Sequence, residues 1–360
     1  MIAEQDLQAA VAEGIIDQAQ AVRIAHLARL RLDAQGSAPP RLGDSVTAEA
    51  GRAIDPDDER FRLIGGFNDV FVAIGVGLLA GALLGLSRVV GFGDAFAAVA
   101  LVSAWGLSEI FARRMRLALP SILLAAMFCA AAGLLVAQAT SRFALPPAGH
   151  GGWILAALAF AGAAMAHHWR FRVPVDLALT TLGVLGAALA TVHGLFPLLA
   201  EGYLNLILLL GGLCVFGLAL RLDMRDPQRV TRRSDAAFWL HLLAAGLIVH
   251  PVFSGLIGTH EGLGMMQAAI VLGLFTALGI VALVIDRRAL LVSALSYAGI
   301  AVAYVISQSV SRDLGLPLAL LGLAILVLAL SAGWRALRRA LLPALPLGRW
   351  LDRLPPVEPA

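Results

Sequence analysis

From Phe61 onward the chain is a succession of ten apolar runs, each close to the length that crosses a bilayer's hydrocarbon core, which takes ~20 helical residues. Their cores are Val70–Leu86, Ala95–Ala112, Leu119–Ala137, Trp153–Ala166, Val175–Val192, Leu204–Leu220, Ala236–Phe253, Met266–Ile285, Leu290–Ser307 and Leu316–Gly333. Hydrocarbon offers no partner to an open backbone N–H or C=O, so each run must be a helix. The expected fold is all-α: a polytopic transmembrane bundle of about ten spans. The composition agrees, with 59% hydrophobic and 14% charged residues; a soluble domain holds about a quarter charged. The fourth run is short and is expected to borrow Gly152 and His167.

The loops give an orientation. All 27 basic residues are arginine, as in a protein from a GC-rich genome. Arg60, Arg62, Arg113, Arg114, Arg116, Arg170, Arg172, Arg221, Arg225, Arg229, Arg232, Arg233, Arg287, Arg288, Arg335, Arg338 and Arg339 fall on one side; Arg88, Arg142 and Arg312 fall on the other. Arginine collects in cytoplasmic loops, so both termini are expected in the cytoplasm of a bacterial inner-membrane protein. The net charge of +3 is spent on this topology signal, and no nucleic-acid surface is expected. "MIAEQDLQAAVAEGII" lacks the basic and apolar regions of a cleaved signal, so the first span is expected to direct insertion.

Ahead of the spans, residues 1–33 read as a short cytosolic helical hairpin. Asp17 and Gln20 form a capping box for its second helix, and thirty residues are too few to hold a core alone. The hairpin therefore needs the membrane domain, a second copy or a cytosolic protein partner to pack on. Residues 34–60 are polar, aperiodic and Pro/Gly-containing, the pattern of a flexible linker. Residues 61–340 form the membrane domain, and 341–360 a cytosolic or interfacial tail.

Ten spans divide into five and five, and an odd number per half requires the second half to enter from the opposite side. Inverted-repeat transporters share that geometry. "AALAFAGAAMAHH" (156–168) aligns with "SALSYAGIAVAYV" (293–305), and "DLALTTLGVLGAALA" (176–190) with "PLALLGLAILVLALS" (317–331). Chance alignment between Ala/Leu-rich helices gives the same picture, so the repeat is an expectation to test.

A titratable residue inside a span is a functional candidate because burying it costs several kcal/mol. His241, Asp176, Glu109 and Thr180 are the candidates. Each has a structural alternative: a helix–helix hydrogen bond for His241, a helix cap for Asp176, and an i,i+4 pair with Arg113 for Glu109. His241 and His250 are nine residues apart, so they face opposite sides of one helix and cannot share a metal. His250, Asp235 and Asp69 read as structural: an interfacial histidine and two helix starts. The adjacent pair in "HHWRFR" (167–172) diverges on a helix and does not suit two metal bonds. Cys129 and Cys214 stand in apolar runs and read as small apolar residues. No motif points to a cofactor, a metal or a soluble-type catalytic site.

Three stretches, "GIIDQAQAVRI", "ERFRLIGGFNDVFVAIGVGLLAG" and "RRSDAAFWLHLLAAGLIVHP", resemble bacterial inner-membrane proteins of unknown function that place a small cytosolic helical segment before eight to ten spans. The resemblance implies a polytopic membrane protein and transfers no activity and no site residue. Three readings follow, the first the leading one and the others its alternatives. The first is a transporter or permease-like protein that rocks around a midplane cavity and carries a small molecule. The second is a non-transporting sensor or scaffold acting through the N-terminal hairpin. The third is a membrane-embedded enzyme on lipid, which needs two titratable groups at one cavity.

Overall fold

A computed structural model describes residues 67–91, 93–142, 150–226, 232–257, 264–309 and 312–345. The expected hairpin, the linker and most of the tail lie outside the described residues. Ten α-helices follow one another without a strand among the described residues: α1 (Phe67–Val90), α2 (Gly93–Ser108), α3 (Ala118–Arg142), α4 (His150–Phe171), α5 (Val175–Leu195), α6 (Pro197–Asp223), α7 (Arg232–Ile257), α8 (Met265–Ile285), α9 (Ala289–Ser309) and α10 (Arg312–Leu341). Each apolar run of the sequence coincides with one of them. Eight of the ten are long and apolar enough to cross a membrane, α4 and α9 being the other two. The chain is a multi-pass integral membrane protein.

Lipid-facing and protein-facing surfaces follow from where leucine is left outside. Leu78, Leu198, Leu320 and Leu328 are among the many large apolar side chains exposed on the helix exteriors, a surface that only hydrocarbon covers without cost. Helices α1 and α10 are peripheral, with 11% of their apolar windows buried, whereas α7 has 56% buried and is the central helix. It packs most extensively on α6, and also on α5 and α9. Ala178 of α5, Val215 and Ala219 of α6, and Leu240 and Ala244 of α7 form one cluster where the two halves meet. A second joins Ala245 of α7 to α8, α9 and Trp334 of α10.

Helix ends are made locally. Glu109–Arg114 continues α2 as a π-helical turn, with Met115 N–H donating to Ile110 O at 2.9 Å. The turns after α2, α4 and α8 each place a non-glycine residue in the left-handed region: Arg116 (φ 56°), Arg172 (φ 56°) and Asp286 (φ 57°). After α8 this is a Schellman-type end, Arg287 N–H reaching back to Ala282 O at 2.8 Å. Helix α1 begins at Phe67, so Asp69 stands inside its first turn and is 1% exposed rather than capping it. Asp235 lies in the first turn of α7, where a carboxylate complements the helix dipole.

The two halves share only part of a packing scheme. Helices α3, α4 and α5 pack in chain order, as do α8, α9 and α10. The remaining pairs diverge. Helix α3 leans on both α2 and α1, but its counterpart α8 touches α7 only lightly, and α7 packs on α9 instead. The aligned glycines differ too: a Cβ on Gly162 would meet nothing within 4 Å, whereas one on Gly299 would lie 3.1 Å from Leu323 of α10. No repeat is shown.

Close helix approach depends on two glycines. A Cβ on Gly183 would sit 2.8 Å from the Cβ and the backbone N of Ala161; one on Gly212 would sit 2.9 Å from the backbone C and the Cβ of Leu247. We expect Gly183→Ala and Gly212→Ala to cost about 1–3 kcal/mol through overpacking. Gly75→Ala and Gly81→Ala, which meet nothing within 4 Å, should be neutral or slightly stabilising through helix propensity. Unfolding of the four variants in nanodiscs separates the two classes.

Candidate functional site

Among the polar groups buried in this bundle are two clusters, each centred on a histidine–aspartate pair between consecutive helices. In the first, His167 is near the end of α4 and Asp176 is the second residue of α5, so the short α4–α5 turn brings them face to face. His167 Nδ1–H donates to the Asp176 carboxylate, 3.0 Å from each oxygen. On the other edge of the ring, Nε2 lies 3.2 Å from Ser108 Oγ at the end of α2. Ser108, His167 and Asp176 are each 0% exposed. The rings of Phe171 and Phe128 pack against His167 at 4.6 Å and 5.9 Å, and Trp105 packs on both. Outside this dry pocket, Glu109 bonds Arg170 of α4 at 2.7 Å and Arg113 at 3.1 Å.

The second cluster turns on Asp223, the last residue of α6. His241 Nε2–H donates to Asp223 Oδ2 at 2.8 Å. Arg287, from the α8–α9 turn, grips the same carboxylate with both arms of its guanidinium: Nε to Oδ2 at 3.0 Å and Nη2 to Oδ1 at 2.5 Å. The Nη2 group also donates to the carbonyl and the hydroxyl of Ser234, at 3.1 and 2.9 Å. His241 is 0%, Arg287 3% and Asp223 8% exposed. His241 sits two helical turns, ~10 Å, deeper than Ser234, so Asp223 and Arg287 bridge two levels of α7. Asp286, next in sequence to Arg287, is turned the other way by its left-handed backbone. It accepts from Trp334 Nε1–H of α10 at 2.7 Å, with Arg338 3.8 Å away.

The sequence-derived candidates fall into place as follows. His241 is held by a helix–helix hydrogen bond, its structural alternative. Glu109 makes the i,i+4 pair with Arg113 and adds Arg170. The capping role of Asp176 is corrected: α5 has Pro174 at its N-cap and no side-chain cap, because the carboxylate is taken by His167. Thr180 Oγ1–H donates to Asp176 O at 2.8 Å within its own helix. His250 is exposed and bonds Tyr297 Oη of α9 at 2.9 Å, so the two histidines of α7 do face different helices. His241 and Asp176 belong to separate clusters. His167, Ser108, Asp223 and Arg287 went unread. The signal for His167 was its place one turn before a helix end, opposite a carboxylate that opens the next helix.

The order Ser108–His167–Asp176 is that of a nucleophile, a base and an orienting acid. Here Ser108 Oγ–H donates to Ala104 O at 2.7 Å, and neither described cavity reaches it. The array fastens α2, α4 and α5. No metal-type cluster occurs among the described residues.

No protein-family model and no curated protein matches the sequence. Among solved structures, the chain is similar to protomer 1 of the ESX-3 core complex, with a TM-score of 0.48 and 18% identity over 88% of this chain and 80% of that one.

Removing one partner of a buried pair leaves the other charge uncompensated, at a cost of about 3–5 kcal/mol. Asp223→Ala should therefore destabilise by that amount, because Arg287 and His241 lose one shared acceptor. The double variant Asp223→Ala/Arg287→Met should recover part of the loss. A double-mutant cycle of unfolding in nanodiscs measures the coupling, and simple additivity would count against the pairing.

Proposed function

We propose that the protein is a rigid, non-transporting membrane platform: a sensor or scaffold whose ten helices all cross the bilayer and hold residues 1–33 at the cytoplasmic surface for a protein partner. The observation that supports this reading best is how His241 and Asp176 are used. A transporter built around them would turn them toward a polar cavity, where they could exchange a proton or a substrate. Each is instead wholly buried and closed onto a neighbouring helix. Each pair lies within one half, His167–Asp176 in the first and His241–Asp223 in the second, so both residues serve the packing inside a half.

Two further observations fit. Arginine-bearing turns follow α2, α4, α6 and α8, and arginines end α10, an alternation that supports ten crossings with both termini on the cytoplasmic side. The central helix α7 is also fastened toward its far end, through His250–Tyr297 and Ser254–Asn205.

The test needs no known substrate. Spin labels at Arg114→Cys and Arg339→Cys, in a protein with Cys129 and Cys214 replaced, report the distance between the halves on the arginine-rich face. We expect one distance population in lipid nanodiscs, unchanged by deletion of residues 1–33. A photo-crosslinker at Ile24 should give a discrete protein adduct in native membranes. Two interconverting distance populations would overturn the platform reading in favour of the transporter.

A further inference from the structure

An open cavity of about 330 Å³ lies on the arginine-rich face between the α4–α5 turn and the adjoining ends of α6 and α7. Its polar wall carries His168 and Arg172 on one side and Arg233 on the other. Leu177 and Leu222 line its apolar wall, and Trp169, 86% exposed, stands beside them. No acidic side chain is among the described residues that line it.

The local backbone holds the cations in place. Arg172 occupies the left-handed position that ends α4, its N–H bonded to His168 O at 2.8 Å. Pro174 then starts α5, so the turn cannot slide along the helix. His168 Nδ1–H donates to Val173 O at 3.2 Å, which fixes the ring and leaves the Nε2 edge for a ligand. A groove of this kind joins three features. It has guanidinium groups, which bind phosphate oxygens in pairs. It has apolar helix sides running toward the membrane interior, and a tryptophan of the type found at the headgroup level.

We propose that this groove seats the phosphate headgroup of an acidic phospholipid from the leaflet on the arginine-rich side. Arg172 and Arg233 take the phosphate oxygens, and the acyl chains follow Leu177 and Leu222 between α5 and α6. Charge selects the lipid: a zwitterionic headgroup brings its own cation against the same guanidinium groups, whereas phosphatidylglycerol does not. Basic pockets between membrane helices are suited to anionic headgroups on this ground.

The test uses the full-length protein in nanodiscs of equimolar phosphatidylglycerol and phosphatidylcholine, with the lipid retained after release read by native mass spectrometry. Wild type should retain phosphatidylglycerol in preference. The double variant Arg172→Gln/Arg233→Gln should retain it on the order of twentyfold less, and each single variant roughly fivefold less. The double variant Arg114→Gln/Arg339→Gln removes the same charge from the same face and should retain it as wild type does. Equal loss in both double variants would reduce the effect to diffuse attraction and overturn the site. So would unchanged retention in the groove variants. Should the groove double variant fail to fold, the two single variants decide on the same criterion. A lipid-free thermal shift with millimolar inorganic phosphate, abolished by the groove variants, would assign the site to a soluble anion and overturn the lipid.

Discussion

A largely buried carboxylate organises one half of this molecule. Asp223 ends α6, and its two oxygens are shared by His241 of α7 and the guanidinium of Arg287 from the α8–α9 turn. In a low-dielectric interior an unpaired carboxylate is untenable, so these three elements must assemble together. Arg287 then fixes Ser234 at the mouth of α7. The left-handed residue before it aims Asp286 at Trp334 of α10. Four consecutive segments are thereby located by adjoining residues of one turn. The other half uses the same device with fewer parts, Asp176 receiving His167 while Ser108 closes the far side of the ring.

The placement of both clusters has a physical reason. Each lies where helices end or begin, and in the first cluster a short turn keeps the histidine and the aspartate close. A histidine at the end of α4 and an aspartate at the start of α5 are nine residues apart and meet without distant chain closure. The middle of the bundle is joined differently, by alanine and glycine surfaces such as Gly183 on Ala161 and Gly212 on Leu247, where van der Waals contact carries the association. Polar pairs set which helices meet at one level, and small residues set how closely they pack below it.

This division also explains what could be read from the sequence. Helix number and position were legible, because period and length of apolar runs are local properties that hydrocarbon enforces. The opposed directions of His241 and His250 were legible from helical geometry. Partner choice was not. His167 looked like half of an adjacent pair at a helix edge, and nothing in "HHWRFR" says that its ring turns inward while His168 stays at the groove. Asp223 drew no reading, since its burial depends on how far α6 reaches alongside α7. Arg287 was counted as a topology arginine, and the structure closes it onto the Asp223 carboxylate.

That closure bears on the mechanism. A topology arginine in a loop is normally solvated and adds little rigidity. Arg287 is buried and closes the Asp223 cluster. Separating α6 from α7 would strand a carboxylate, an imidazole and a guanidinium at once. His250 and Tyr297 bind α7 to α9, so moving α7 with α6 would break contacts with α9 instead. Helix α7 is thus committed to both neighbours, at different depths and through different chemistry. A helix held this way is fixed against both α6 and α9.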